Sequence, residues 1–528
     1  MQRVRWWQTG VVYQIYPRSF MDANGDGVGD LEGIIQRLDY LVTLGIDCIW
    51  LSPFFKSPMK DFGYDVADYC DVDPLFGDLA TFDRLVTEAH ARGLKLIIDW
   101  VPNHTSDQHA WFVESRASKD SPKRNWYIWK PAKPDGSLPN NWGSMFGGSA
   151  WEYDAHTDEY YFHQFVKEQP DLNWRNPEVV NAMLDVLRFW LARGVDGFRM
   201  DVVNMIAKHP DMPDQPPIPN AQVRGEGDIY STQEHPYDQD YDGVHDLMRL
   251  IRGVLDDYGD TVAVGEIWLP LERWKLYYGT PDAPELHLPF NFRLIDTAWN
   301  AEAIRREVEL IEAAVPAHGF PNYVLNNHDR PRFASRVSEP QARIAAMLLL
   351  SLRGTPTLYM GEELGMLDGV IKPEEMQDPQ GINLGVEHTR DVCRTPMQWD
   401  ASPYAGFSTV PTWLPVNPDY PTRNVQAQLA DPHSMLALYR ALLALRKRTL
   451  ALTVGTYQSL PSPEGVFAYL REHEGARYLV VLNFTSKPVS FSYDAEGEIV
   501  LDSGLKRVGE AFPRMLELWG DEGVMIRI

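Results

Sequence analysis

The chain has 528 residues, 44% of them hydrophobic and 23% charged, with a formal net charge of −25. That length calls for several domains or a large barrel with insertions, and the negative charge argues against nucleic acid or an anionic membrane surface as a partner. Three scattered cysteines, Cys48, Cys70 and Cys393, exclude a disulfide framework or a zinc cluster.

In chain order, short apolar runs alternate with amphipathic stretches. VVYQIYP (11–17) reads as a strand and LEGIIQRLDYLVTLG (31–45) as a helix. Between them, DANGDGVGD (22–30) alternates Asp22, Asn24, Asp26 and Asp30 in the manner of a calcium loop, with the Val28 carbonyl as a further donor. Position twelve of that loop is Gly33, where an EF-hand has a bidentate Glu, so an Asx-rich turn without metal is the competing reading. CIWLSP (48–53) and LKLIIDWVPNH (94–104) are strands flanking a helical LATFDRLVTEAHARG (79–93). A long irregular stretch follows, then the helical EVVNAMLDVLRFWLARG (178–194). Further strand-like runs are GFRMDVV (197–203), TVAVGEIW (261–268), HLPFNF (287–292), PNYVLNNHD (321–329) and TPTLYMGEE (355–363). Eight buried strands with helices between them predict an α/β fold and match a TIM (β/α)8 barrel, although doubly wound sheets give a similar pattern. The expected layout is a first barrel part (1–104), a small domain inserted after strand three (105–172), a second barrel part (173–454) and a C-terminal antiparallel β domain (455–528). Residues 366–415 form a second irregular excursion. No secretory signal and no run of 18 apolar residues is visible, so a cytoplasmic protein is expected.

Chemistry in such a barrel gathers at the C-terminal strand ends. Here those ends carry Asp99, Asn103 and His104; Arg199 and Asp201; Glu266; and Asn327, His328 and Asp329. Arg199 and Asp201, two apart on a strand, share one face, with Phe198, Met200 and Val202 on the other. A structural ion pair is the plain reading of any one such pair, although buried pairs stabilise poorly. Several polar strand ends on one rim favour a site. Three carboxylates with Arg and His among them suit glycoside cleavage, which needs one acid and one carboxylate that attacks or activates water. Arg199 is expected to hold Asp201 ionised, and burial to raise Glu266.

DWVPNH (99–104), GFRMD (197–201), GEIW (265–268) and NNHD (326–329), with QPDLN (169–173), resemble the α-amylase superfamily, glycoside hydrolase family 13, in its α-glucosidase and oligo-1,6-glucosidase branch. The resemblance covers essentially the whole chain. It implies a retaining mechanism with Asp201 as nucleophile, Glu266 as acid/base and Asp329 as transition-state stabiliser. It further implies that His104, His328 and Arg199 bind the first sugar, that Tyr64 stacks on it, and that Asp61 and Arg394 close the pocket. Phe146, Phe165 and Gln169 would line the rest. The 22–30 loop would hold structural Ca2+ or Mg2+, with no organic cofactor. The implied activity is exo-acting release of glucose from short α-glucosides, with transfer to acceptors, and oligo-1,6-glucosidase action is the alternative. A non-catalytic interaction module is disfavoured by the presence of all three acids, and a sucrose isomerase by the absence of an RLDRF-type loop at 286–300. Linkage cues conflict: Val202 resembles α-1,6-preferring members, and GEIWLPLERWKLYYG (265–279) the α-1,4-acting ones. Small α-glucosides are the expected partners, and a monomer or a small homo-oligomer is left open.

Overall fold

Val12–Ile15 (β1), Cys48–Leu51 (β2), Lys95–Trp100 (β3), Gly197–Met200 (β4), Val262–Glu266 (β5), Leu288–Phe290 (β6), Asn322–Val324 (β7) and Thr355–Tyr359 (β8) form one parallel sheet, ordered β6-β5-β4-β3-β2-β1-β8-β7, in a computed structural model that describes residues 4–528. The eight runs read from the sequence supply its eight strands. Alternate side chains divide between two cores, as the strand period of two requires. Val12, Trp50, Ile97, Val264 and Phe290 fill the interior, whereas Tyr13, Ile49, Ile98, Phe198 and Met200 belong to the larger core that includes the surrounding helices. The ends of the sheet approach between β6 and β7, where side-chain amides take the place of a ladder: Asn322 Nδ2 donates to the Pro289 carbonyl at 2.6 Å and Asn291 N to Asn322 Oδ1 at 2.8 Å. The barrel is therefore nearly closed.

The helices Leu79–Ala91, Pro177–Ala192, Val244–Asp256, Ala301–Ala314 and Glu339–Ser351 lie between successive strands. Side-chain caps start four of them, from Asp78, Asn176, Asn300 and Ser338. The helix expected over 31–45 is two, Leu31–Gln36 and Leu38–Leu44, because Arg37 leaves helical geometry at φ −106° and ψ 7°. Its guanidinium lies over Trp399.

Within 105–172 the chain builds a short helix, Ala110–Arg116, and a three-stranded antiparallel sheet with Glu159–Phe162 between Trp129–Lys130 and Trp151–Asp154. The segment returns to its point of departure, pairing His104 with Asp171 and Tyr127 with Leu172. Lys208, buried, pins this junction: its Nζ reaches Asp171 Oδ2 at 2.6 Å and Asn103 Oδ1 at 2.7 Å. Thr456–Leu460 (β9), Val466–His473 (β10), Ala476–Asn483 (β11), Val489–Asp502 (β12), Ala511–Leu518 (β13) and Gly523–Arg527 (β14) form an antiparallel sheet ordered β9-β10-β11-β14-β12-β13. No helix among the described residues is long and apolar enough to cross a membrane.

Candidate active site

Asp99 and Arg199 pair in register across β3 and β4, and Arg199 faces Val264 of β5. All three positions share the interior parity, so the C-terminal mouth of the barrel is where polar residues replace Trp50, Ile97 and Val264. Gly197 lets β4 and β5 approach, since a Cβ there would lie 2.1 Å from the Val262 carbonyl oxygen.

Arg199 is the hub. Its Nη1 donates to Asp99 Oδ1 at 2.6 Å and to Asp201 Oδ1 at 2.9 Å, and its Nη2 to Glu266 Oε2. Trp50 Nε1 and the Tyr64 hydroxyl complete Asp99, at 3.0 and 3.2 Å to Oδ2. Burial pushes Asp99 up to about 6 despite Arg199. Burial also pushes Asp201 well above the usual carboxylate range; Arg199 opposes this and Glu266 reinforces it. This corrects the expectation that Arg199 simply keeps Asp201 ionised. One guanidinium is divided among three carboxylates.

Asp329 is the opposite case. Burial pushes it up, but the contact with His328 and the charges of Arg390 and Arg394 outweigh burial and hold it well below the carboxylate range. Arg394 Nη2 donates to Asp329 Oδ1 at 2.9 Å and Arg390 Nη1 to the same oxygen at 3.3 Å. Burial lowers both His104 and His328 to about 3, so both imidazoles are neutral. The Tyr64 ring lies parallel to His328, with centroids 5.5 Å apart, and its hydroxyl is 2.7 Å from His328 Nε2.

A cavity of about 420 Å3 opens onto Asp61, Tyr64, His104, Phe146, Phe165, Asp201, Val202, Glu266 and Asp329, among others. Arg199, His328, Gln169 and Arg394 stand behind this lining and hold it. Gln169 Nε2 contacts Asp61 Oδ2 at 3.2 Å and His104 Nε2 at 3.1 Å. Asp61 has a different cation from the expected one: Arg390 Nη2 donates to it at 2.7 Å and is held in turn by Asp378 at 2.6 Å. Arg394 instead engages Asp329 and the His328 carbonyl. Val202 also departs from its expected face. β4 ends at Met200, and Val202 adopts φ 35°, ψ 43°, a left-handed geometry that brings it to the cavity beside Asp201. Arg390, Asp378 and Trp268 are the residues that sequence reading missed. The four-residue spacing of Arg390 and Arg394 in RDVCR was the available signal.

The 22–30 loop lies apart from this cavity and closes on itself. Asp22 accepts from Gly25 N (2.7 Å) and Gly27 N (2.9 Å), Asp26 from Val28 N (2.8 Å), and Asn24 from Asp26 N (2.9 Å). Asp30 caps the following helix through Gly33 N at 2.6 Å. Position twelve has to be glycine, because a Cβ on Gly33 would lie 2.0 Å from the Met21 carbonyl oxygen. The oxygen-only donor set has the chemistry a hard cation takes, although the described residues hold no cluster of three or more His, Cys, Asp or Glu placed to bind a metal.

Residues 14–455 match the α-amylase catalytic domain. The chain is 42% identical to a probable alpha-glucosidase of Rhizobium meliloti (strain 1021), over 91% of this chain and 90% of that one. It is 41% identical to an oligo-1,6-glucosidase of Parageobacillus thermoglucosidasius, over 93% and 92%. Among solved structures, the alpha-glucosyl transfer enzyme XgtA superposes with a TM-score of 0.93 at 42% identity, covering 99% of this chain and 100% of that chain. The match over the barrel and these relatives agree: this chain belongs to the α-amylase family, glycoside hydrolase family 13.

Proposed function

We propose that the protein is an exo-acting, retaining α-glucosidase that releases glucose from the non-reducing end of short α-glucosides and transfers it to water or to an acceptor sugar. The observation that carries this reading is the closed floor of the cavity. Asp61, Arg390 and Asp378 form buried ion pairs there, extended by the half-buried Asp329, which leaves a chain end room to enter and no exit for a polymer. At about 420 Å3 the space suits a small ligand.

Glucose at the floor is gripped through its hydroxyls by ionised Asp329 and the neutral imidazole of His104, with His328 holding Tyr64 from behind. Asp201 attacks the anomeric carbon, the glycosidic C–O bond breaks, and Glu266 passes its proton to the departing oxygen. Water then attacks the anomeric carbon, Glu266 takes its proton, and the ester bond to Asp201 breaks. Positive charge growing on the sugar ring favours ionised Asp201 as it attacks, which offsets the burial that raises this carboxyl. We propose also that Asp22, Asn24, Asp26, the Val28 carbonyl and Asp30 take Ca2+ or Mg2+ in a structural role, on the strength of their oxygen-only chemistry.

Hydrolysis of maltotriose followed by proton NMR tests the reading. Glucose released first as the α anomer, with maltose as co-product, is expected. Initial β-glucose would overturn the retaining mechanism. The same assay on maltose and isomaltose decides linkage; the relatives' names span α-glucosidase and oligo-1,6-glucosidase, and we favour α-1,4 on the GEIWLPLERW stretch.

A further inference from the structure

We infer that Trp268 is the positioning residue for Glu266, its indole N–H fixing one carboxyl oxygen so that the other alone handles the proton. The inference rests on the glucosidase reading above. Glu266 is the last residue of β5 and Trp268 lies two residues on; both line the cavity. Trp268 Nε1 donates to Glu266 Oε1 at 2.7 Å. The second oxygen, Oε2, accepts from Arg199 Nη2 and, at 3.4 Å, from the Val202 amide.

An indole N–H donates and never accepts. When Glu266 is neutral, its carbonyl oxygen is the better acceptor, so the indole keeps that role on Oε1 and leaves the proton to Oε2. A protonated Oε2 is a poorer acceptor for the Arg199 Nη2–H and turns its own hydrogen elsewhere. The hold of Arg199 on Oε2 therefore weakens when Glu266 becomes the acid, and Trp268 on Oε1 is the contact that persists. The indole is itself held. It stacks on Phe292 with centroids 4.3 Å apart and 6° between the planes, and the Arg330 guanidinium lies 4.9 Å over it. In the first half-reaction the Oε2–H bond breaks and the proton joins the departing glycosidic oxygen. In the second, a proton from water returns to Oε2. Oε1 stays on the indole through both.

Trp268→Phe keeps the stacked ring and removes the N–H. The test compares maltose, whose sugar leaving group needs a proton, with 4-nitrophenyl α-glucoside, whose phenolate departs with little help. For the variant, kcat/KM on maltose is expected to fall about tenfold or more, a share of the roughly 10²–10⁴-fold worth of general acid catalysis, and on the aryl glucoside by less than about threefold. The alkaline limb of the maltose profile should move upward, because the lost N–H favoured ionised Glu266. Equal losses on both substrates, or an unmoved alkaline limb, would overturn the inference. Phe292→Leu loosens the stack and keeps the N–H, so it should leave the ratio of the two substrates unchanged; a selective loss on maltose there would assign the effect to packing and also overturn it. If the unaltered protein cleaves neither substrate, the glucosidase reading itself fails, a result distinct from these.

Discussion

Asp99, Asp201 and Glu266 all draw on Arg199, and burial raises Asp99 and Asp201 even beside that positive charge. Asp201→Asn keeps volume and removes the attacking oxygen, so kcat should fall by at least about a thousandfold, the scale seen when a covalent nucleophile is lost. The melting temperature should hold or rise, since a carboxyl whose charged form burial disfavours has been replaced by a neutral amide. An Asn variant keeping more than a few per cent of activity, with deamidation excluded by mass spectrometry, would remove Asp201 from the role. The spacing of Arg199 and Asp201 made their shared face legible, because a strand alternates by geometry alone. Their protonation was not legible: it depends on Asp99 and Glu266, contributed by other strands. Arg390 stayed hidden for a related reason: the carboxylates that give it its role, Asp61 and Asp329, come from distant segments.

The elements that could be read in advance are those whose burial repeats regularly. All eight barrel strands are apolar runs enclosed on both faces, and that pattern survives without tertiary information. The break at Arg37 and the turn at Val202 do not repeat, and neither leaves a trace in hydrophobic spacing. Val202 is β-branched and left-handed, a conformation that costs of order 1–3 kcal/mol and persists only where its surroundings enforce it. It packs with Phe146, Phe165, Val166 and Met205 at the cavity wall. Val202→Ala opens this wall and suits the backbone better. The ratio of kcat/KM for maltose over isomaltose should rise about tenfold, the low end of the roughly 10–200-fold that a methylene-scale contact discriminates. An unchanged ratio in a folded variant would shift the determinant to the loop after Glu266. A second junction between elements depends on Arg471 of β10, which is fully buried with no carboxylate on it. Its guanidinium donates to the carbonyls of Leu452 (3.1 Å), Thr453 (3.2 Å) and Gly455 (3.0 Å), at the end of the helix Leu450–Thr453, and to Thr456 (3.1 Å). Burial lowers it to about 10. Lysine cannot reproduce that fork, so Arg471→Lys should cost about 2–4 kcal/mol by leaving carbonyls unpaired around a buried charge. Calorimetry showing an unshifted transition would refute the idea that this arginine fastens the β domain to the barrel.

At the scale of the whole molecule, the 22–30 loop joins parts of the chain that are far apart in sequence. Asp22 N donates to the Phe407 carbonyl at 3.0 Å, Trp413 N to the Gly27 carbonyl at 3.0 Å, and Ser408 Oγ to Asp22 Oδ2 at 2.6 Å. Segment 407–413 belongs to the same excursion that presents Arg390 to the cavity and sets Arg394 behind it. The loop thus anchors, from outside, the region that closes the pocket floor. A cation bound by its oxygens would tighten that anchor without touching the reacting atoms. Ca2+ or Mg2+ at about a hundred times its dissociation constant should add roughly 2.7 kcal/mol. The melting temperature of metal-free protein should therefore rise on loading, while the α-anomer outcome and the substrate preference stay as they were. Asp26 is exposed and bonded within the loop, so Asp26→Asn should abolish the response to metal with little effect on the fold. Equal melting temperatures for exhaustively metal-free and metal-loaded protein would make the loop an Asx turn alone. Its work would then be done by the hydrogen bonds to Phe407, Ser408 and Trp413, and Asp22→Ala, which severs the link to Ser408, should lower the transition in either case.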